Sequence, residues 1–165
     1  MSRKDDITRI AEQERQLVLE RFDEAVAFSI GQRIREYGLR HELSIVCDVR
    51  SWERPLFYMA LAGTNGDNQH WVRRKVNVVQ RLGKSSYRAV LENESGVDHF
   101  LPRRGMDNAD YVLAGGGFPI RVPHAGLVGC VTVSGLHERD DHRLVVEALC
   151  GELGHDPARY ALPPA

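Results

Sequence analysis

The chain has 165 residues, with 22 Lys plus Arg against 23 Asp plus Glu and a formal net charge of -1. That length suits one domain with its own core, taken as residues 1–165, and is short for two. The charge balance gives no global basic field to recruit nucleic acid, and no apolar run approaches the roughly 20 residues of a membrane helix. Arg3, Lys4, Asp5 and Asp6 stand where a secretory signal would be apolar, so the expected location is cytoplasmic.

Residues 7–37 are rich in Glu, Arg, Gln, Leu and Ala and carry an apolar stripe through Ile10, Leu17, Val26, Ile30 and Ile34. They predict two helices, or one bent helix, with Asp23 as a cap inside the segment and Gly38 as its left-handed end. Leu43, Ile45, Cys47 and Val49 then alternate with polar neighbours, and Leu56 to Ala62 is β-rich again, which makes a hairpin. Val46 interrupts the polar face of the first strand, so a helix or a neighbouring subunit must cover that face in part.

A helix is expected from Asn68 to Leu82, capped by Asp67. At 100° per residue, Trp71, Val72, Val76, Val78, Val79 and Leu82 share one side and Arg73, Arg74, Asn77, Gln80 and Arg81 the other. Lys75 falls within the apolar side. A lysine there must snorkel to the rim, pair with a carboxylate or point into a pocket. Gly83 to Gly105 is polar and turn-prone, with room for a short helix over Ser86 to Glu92, and is long enough to cover a pocket or an interface.

Asp110 to Ala114 reads as a strand that runs into Gly115, Gly116 and Gly117. Three glycines in a β-type pattern mark a bulge, a bend or a close approach of another backbone or a ligand. Phe118 and Pro119 open a second short strand, Pro123 to Gly126 turns, and Leu127 to Ser134 forms a third strand. Gly135 and Leu136 lead to a helix over Arg139 to Leu153, with Asp140 or Asp141 at its start. The tail, residues 155–165, carries three prolines and is expected on the surface or against a partner subunit.

No metal site is expected, because the seven histidines form no His-Glu-x-x-His and no paired cysteines accompany them. Cys47, Cys130 and Cys150 are odd in number and sit among apolar residues, as buried reduced thiols do. The glycine triplet is no dinucleotide fingerprint, since a strand and not a helix follows it. Haem asks less of a sequence, one axial imidazole and an apolar slot, and several histidines could supply the imidazole.

The order Gly115, Gly116, Gly117, Phe118, Pro119, Ile120, then Gly126, Gly129, Val131, Val133, Ser134, Gly135 and a helix resembles the HbpS and GlcG-like family, also called haem-degrading domains. The first hairpin around Asp48 and the helix bearing Lys75 are similar to the same family, and the likeness runs from about Leu17 to Gly151. Asn65 to Asn68, Trp71, Arg74 and Lys75 look like a small branch of it. The resemblance implies an α+β, profilin-like fold, an antiparallel sheet of about five strands between helices in a three-layer α/β/α arrangement. It also implies a homo-oligomer and a ligand, haem or a related tetrapyrrole, with His124, His137 and His142 as axial candidates. The candidate pocket joins Asp48, Lys75, Gly115, Gly116, Gly117, Phe118, Ser134 and Gly135. Two alternatives stay open: a small-molecule enzyme in which Lys75 anchors a carboxylate or acts as a base, and an adaptor that uses Arg73, Arg74 and Arg81.

Overall fold

A computed structural model describes residues 2–164. The elements in chain order are α1 (Arg3–Gln16), α2 (Glu24–Arg40), β1 (Val46–Ser51), β2 (Pro55–Ala60), α3 (Gly66–Leu82), α4 (Ser86–Glu92), β3 (Gly117–Val122), β4 (Gly126–Ser134) and α5 (Glu138–Leu153). Short 3-10 turns occupy Pro102–Arg104 and Pro157–Arg159. The N-terminal segment is two helices. Between them Leu19 donates its N–H to the Arg121 carbonyl at 3.0 Å, and Asp23 caps α2 by accepting from Val26 N–H at 2.9 Å.

The sheet is antiparallel, in the order β2-β1-β4-β3. Alternation along the strands sends Cys47, Val49, Phe118, Ile120, Val131 and Val133 to one face, against α2 and α5, where the largest apolar cluster forms. Val46 and Cys130 point the other way and pack on Val72, Val76 and Val79 of α3. α3 is therefore the cover that Val46 called for, and the molecule has three layers, α/β/α, as the resemblance implies.

Among the described residues the sheet has four strands, against about five expected. Asp110–Ala114 joins no ladder: Asp110 and Tyr111 donate their N–H groups to the Asp107 carbonyl in a turn at 3.0 and 2.9 Å, and Asp110 is bonded to the polar side of α3. Asn77 donates to the Asp110 carbonyl at 2.8 Å and Arg73 to the Ala109 carbonyl at 2.5 Å. The basic side of α3 is thus spent inside the molecule, with Arg81 holding the Gly105 and Arg104 carbonyls at 2.8 and 3.0 Å.

Three helix ends differ from expectation. α2 runs past Gly38 to Arg40, and the bare Gly38 Cα is needed for packing, since a Cβ there would lie 2.6 Å from the Leu61 side chain. α3 is capped by Asn65, whose side chain accepts from Asp67 N–H at 2.9 Å while Asn68 reaches back to Asn65 N–H at 3.1 Å. Asp67 sits in the first turn and takes the Trp71 indole N–H at 3.1 Å. α5 starts at Glu138 with His137 as its N-cap, leaving Asp140 and Asp141 inside the first turn.

The tail is only partly on the surface. Tyr160 is 4% exposed, packs into the main core, and its carbonyl accepts from Gln13 of α1 at 2.6 Å. Ala165, the end of that tail, lies outside the described residues. All three cysteines are buried and free. Among the described residues no helix is long and apolar enough to cross a membrane.

Candidate functional site

The apolar side of α3 brings Lys75 to the end of the sheet, where β4 stops at Ser134 and the chain turns towards α5. Lys75 is 2% exposed and Asp141, on α5, 1%. The ammonium donates to the Asp141 Oδ2 and to the Val133 carbonyl, both at 3.0 Å. The other oxygen of Asp141 accepts from Leu136 N–H at 3.0 Å. Burial pushes the Lys75 ammonium below the usual lysine range and the Asp141 carboxyl above the usual carboxylate range, each against the pull of the other. Two of the three ammonium protons are spent, so one donor remains.

Two glycines make this pair possible. Gly116 has φ of +124°, and a Cβ on it would lie 2.3 Å from the Val133 carbonyl and 3.0 Å from the Lys75 Nζ. Gly135 has φ of +143°, and a Cβ there would meet the Ser44 carbonyl at 2.3 Å. Both positions demand a conformation that side chains resist, and both let a backbone pass where a side chain would block it.

In front of the pair lies a cleft of about 230 Å³. Its floor is Lys75 and Asp141, its walls Gly115, Ser134 and Gly135, and Trp71, Asn68 and Glu138 stand at its sides. Glu138 also receives the Gly115 N–H at 3.3 Å. Of the residues singled out in the sequence, the structure brings Lys75, Gly115, Ser134 and Gly135 to this cleft, with Gly116 behind it. Gly117 is turned to α4, donating to the Ser86 hydroxyl at 2.9 Å. Phe118 points through the sheet into the opposite core. Asp48 is buried on β1 and held by a two-point contact with Arg50, at 2.7 and 2.8 Å. Asp141 is the member the sequence reading did not connect to Lys75; a lysine on an apolar face asks for a carboxylate without saying which.

The three histidines part company. His124 is exposed at the β3–β4 turn, at the opposite end of β4 from Ser134, about 27 Å away by strand rise. His142 is fully buried between Tyr87 and Phe118, with ring centroids at 5.4 and 5.8 Å, and its Nε2 meets the Gln13 side-chain oxygen at 2.8 Å. Gln13 gives its own N–H to Tyr160, so the Gln13 oxygen is the acceptor and His142 carries its proton on Nε2. Burial, with Arg139 nearby, pushes its pKa down to about 3. His137 is exposed, sits between Leu136 and Glu138 of the cleft lining, and its Nδ1 accepts from Arg139 N–H at 3.5 Å. Its Nε2 has no protein partner among the described residues. None of the three histidines lines the cleft; His137 is the one that adjoins it in sequence, beside Leu136 and Glu138, while His142 and His124 lie elsewhere.

A four-stranded antiparallel sheet between helical layers, with a glycine-walled cleft at the end of its central strand, defines an α+β fold of profilin-like type. The HbpS-like haem-degrading-protein family matches residues 22–150, and the chain belongs to that family. It is 51% identical to a UPF0303 protein of Mesorhizobium japonicum over 94% of this chain and 93% of that one. A UPF0303 protein of Brucella melitensis is 49% identical over 98% and 96%. Among solved structures, the Ybr137w protein superposes with a TM-score of 0.82 at 23% identity, covering 93% of this chain and 92% of that one. A PduOC:haem complex does so with a TM-score of 0.65 at 11% identity, over 78% and 93%. These structural likenesses concern the fold.

Proposed function

We propose that this protein is a ligand-binding member of the HbpS-like family that holds haem or a related tetrapyrrole at the Lys75 cleft and works as a homo-oligomer. The observation that carries the reading is a lysine at 2% exposure on the floor of an open cleft, with one ammonium donor uncommitted. An ammonium under glycine walls suits a ligand carboxylate, and His137, exposed between the lining residues Leu136 and Glu138, is the imidazole nearest in sequence to the cleft. The description of the family and the haem in the PduOC structure favour this ligand class. Haem, when bound, would supply an iron able to take an imidazole; the residues of this chain that would hold it are Lys75, through its ammonium, and His137. At about 230 Å³ the cleft covers one edge of so large a ligand, and a second subunit would cover more. Self-association is supported by the open edge strand β2 and the exposed Phe28 and Tyr58, at 57% and 46%.

Titration of the purified protein with hemin, read by absorbance with light scattering on the same sample, tests this. The expected result is a saturable Soret shift at a simple ratio per subunit, weakened at least tenfold in His137→Ala and unchanged in His124→Ala. A non-saturating shift equal to that of an unrelated apolar protein would overturn the tetrapyrrole reading. The second reading, a small-molecule enzyme, is favoured by the lowered Lys75 ammonium beside a carboxylate. It predicts a metabolite that raises the melting temperature of the native protein and not of Lys75→Met.

A further inference from the structure

A roomier cavity lies elsewhere. It measures about 390 Å³, lies between α4 and the segment 93–104, and shares no lining residue with the Lys75 cleft. This volume lies within the range of small-molecule sites, which the Lys75 cleft falls short of. Its apolar lining is Leu82, Ala89, Phe100 and Leu101, of which the first three belong to a small apolar cluster that also contains Val78 and Met106.

Three cations line it: Lys84, Arg103 and Arg104. They are not equivalent. Lys84 is paired with Glu92, which also takes Arg88 at 2.7 Å, so that carboxylate is spent. The guanidinium groups of Arg103 and Arg104 have neither a salt bridge nor a hydrogen bond to protein among the described residues. Their backbone is fixed nonetheless, with Arg104 N–H on the Leu101 carbonyl at 2.9 Å and the Arg104 carbonyl taken by Arg81 at 3.0 Å. Two unpaired forks on a fixed turn of backbone, each able to grip two oxygens, stand beside an apolar lining.

We propose that this cavity is a second binding site, for a short apolar carboxylate, the acid group on Arg103 and Arg104 and the hydrocarbon on Phe100, Leu101 and Leu82. The exposed Glu94 on the lining disfavours a second negative charge and so selects a monoanion. The segment 93–104, a polar loop between α4 and the glycine-rich stretch, is the wall that makes the cavity.

Calorimetric titration of the full chain with octanoate, octylamine and octanol separately is the test. Octanoate should saturate one site per chain, bind at least tenfold more tightly than octanol, and give no saturable heat as the amine. Arg103→Glu with Arg104→Glu should lower octanoate affinity at least tenfold, and Trp71→Ala, at the side of the other cleft, should leave it unchanged. Both arginines are exposed, so the double variant is expected to fold; Arg103→Gln with Arg104→Gln gives the same comparison if it melts early. Equal binding of octanoate and octylamine, no saturable octanoate binding, or full affinity in the arginine variants would overturn the proposal, and so would loss in Trp71→Ala, which would place the ligand at the other cleft.

Discussion

Lys75 and Asp141 are a buried ion pair, and such pairs are held against a desolvation cost that only good geometry and further hydrogen bonds offset. Here the further bonds exist, from Leu136 N–H to the carboxylate and from the ammonium to the Val133 carbonyl. Lys75→Met leaves Asp141 buried and served by backbone alone. It should lower the urea-unfolding free energy by about 3–5 kcal/mol. Lys75→Met with Asp141→Leu, which removes both charges, should recover at least half of that loss. If the double variant is as unstable as the two single effects summed, the pair is not coupled and its assignment fails. The position of Lys75 was legible in the sequence, because one charged residue on the apolar arc of a helix has few options. Its partner was not, because 66 residues separate the two and only the tertiary fold brings α5 round the end of β4 to α3.

Helix boundaries show where local signals suffice and where they mislead. Around α3 the sequence Asn65-Gly66-Asp67-Asn68 offers several caps, and Asp67 is favoured because its carboxylate can accept backbone N–H bonds and suits the helix dipole. The structure prefers Asn65, which makes a reciprocal capping box with Asn68 and leaves Asp67 in the first turn, where its charge still faces the helix dipole. Asn65→Ala should therefore cost about 1 kcal/mol and Asp67→Ala only a few tenths, measured by thermal or urea unfolding. The opposite ranking would return the cap to Asp67. Gly38 misleads for another reason. Glycine after an apolar stripe looks like a helix end, yet here its missing side chain admits Leu61 and Ile45, a tertiary requirement that leaves no local mark. Asp110–Ala114 has strand composition but is captured by Arg73 and Asn77 of α3, so β-propensity loses to side-chain hydrogen bonds.

At the scale of the whole molecule, three layers follow from alternation on β1 and β4 and from the split face of α3, and these were readable. The docking of α1 and the tail was not, because it turns on polar atoms far apart in sequence: His142 on α5, Gln13 on α1 and the Tyr160 carbonyl. This chain makes acid stability a global property. The folded His142 has a pKa of about 3 against an ordinary value of 6.5, so as pH falls below 6.5 the unfolded chain takes up a proton that the folded one refuses. Stability from this group is complete above 6.5 and is lost at about 1.4 kcal/mol per pH unit on the way down. Unfolding free energies measured from pH 7 to pH 4.5 should fall more steeply for the native protein than for His142→Leu, which starts lower because Gln13 loses its partner. Parallel curves would mean that His142 is protonated in the folded protein.

The strand order carries one more consequence. β1 with β2 and β3 with β4 are hairpins that close over a few residues, whereas the central seam between β1 and β4 joins partners such as Val46 and Ser134, 88 positions apart. Each hairpin alone is a marginal two-stranded unit, so neither is a stable stopping place for the chain. The seam must therefore set the pace of self-assembly, since its long loop has to close before either hairpin gains a neighbour. The glycine-walled cleft sits at the end of this seam, and so it comes into being late, when the two halves of the sheet have already met.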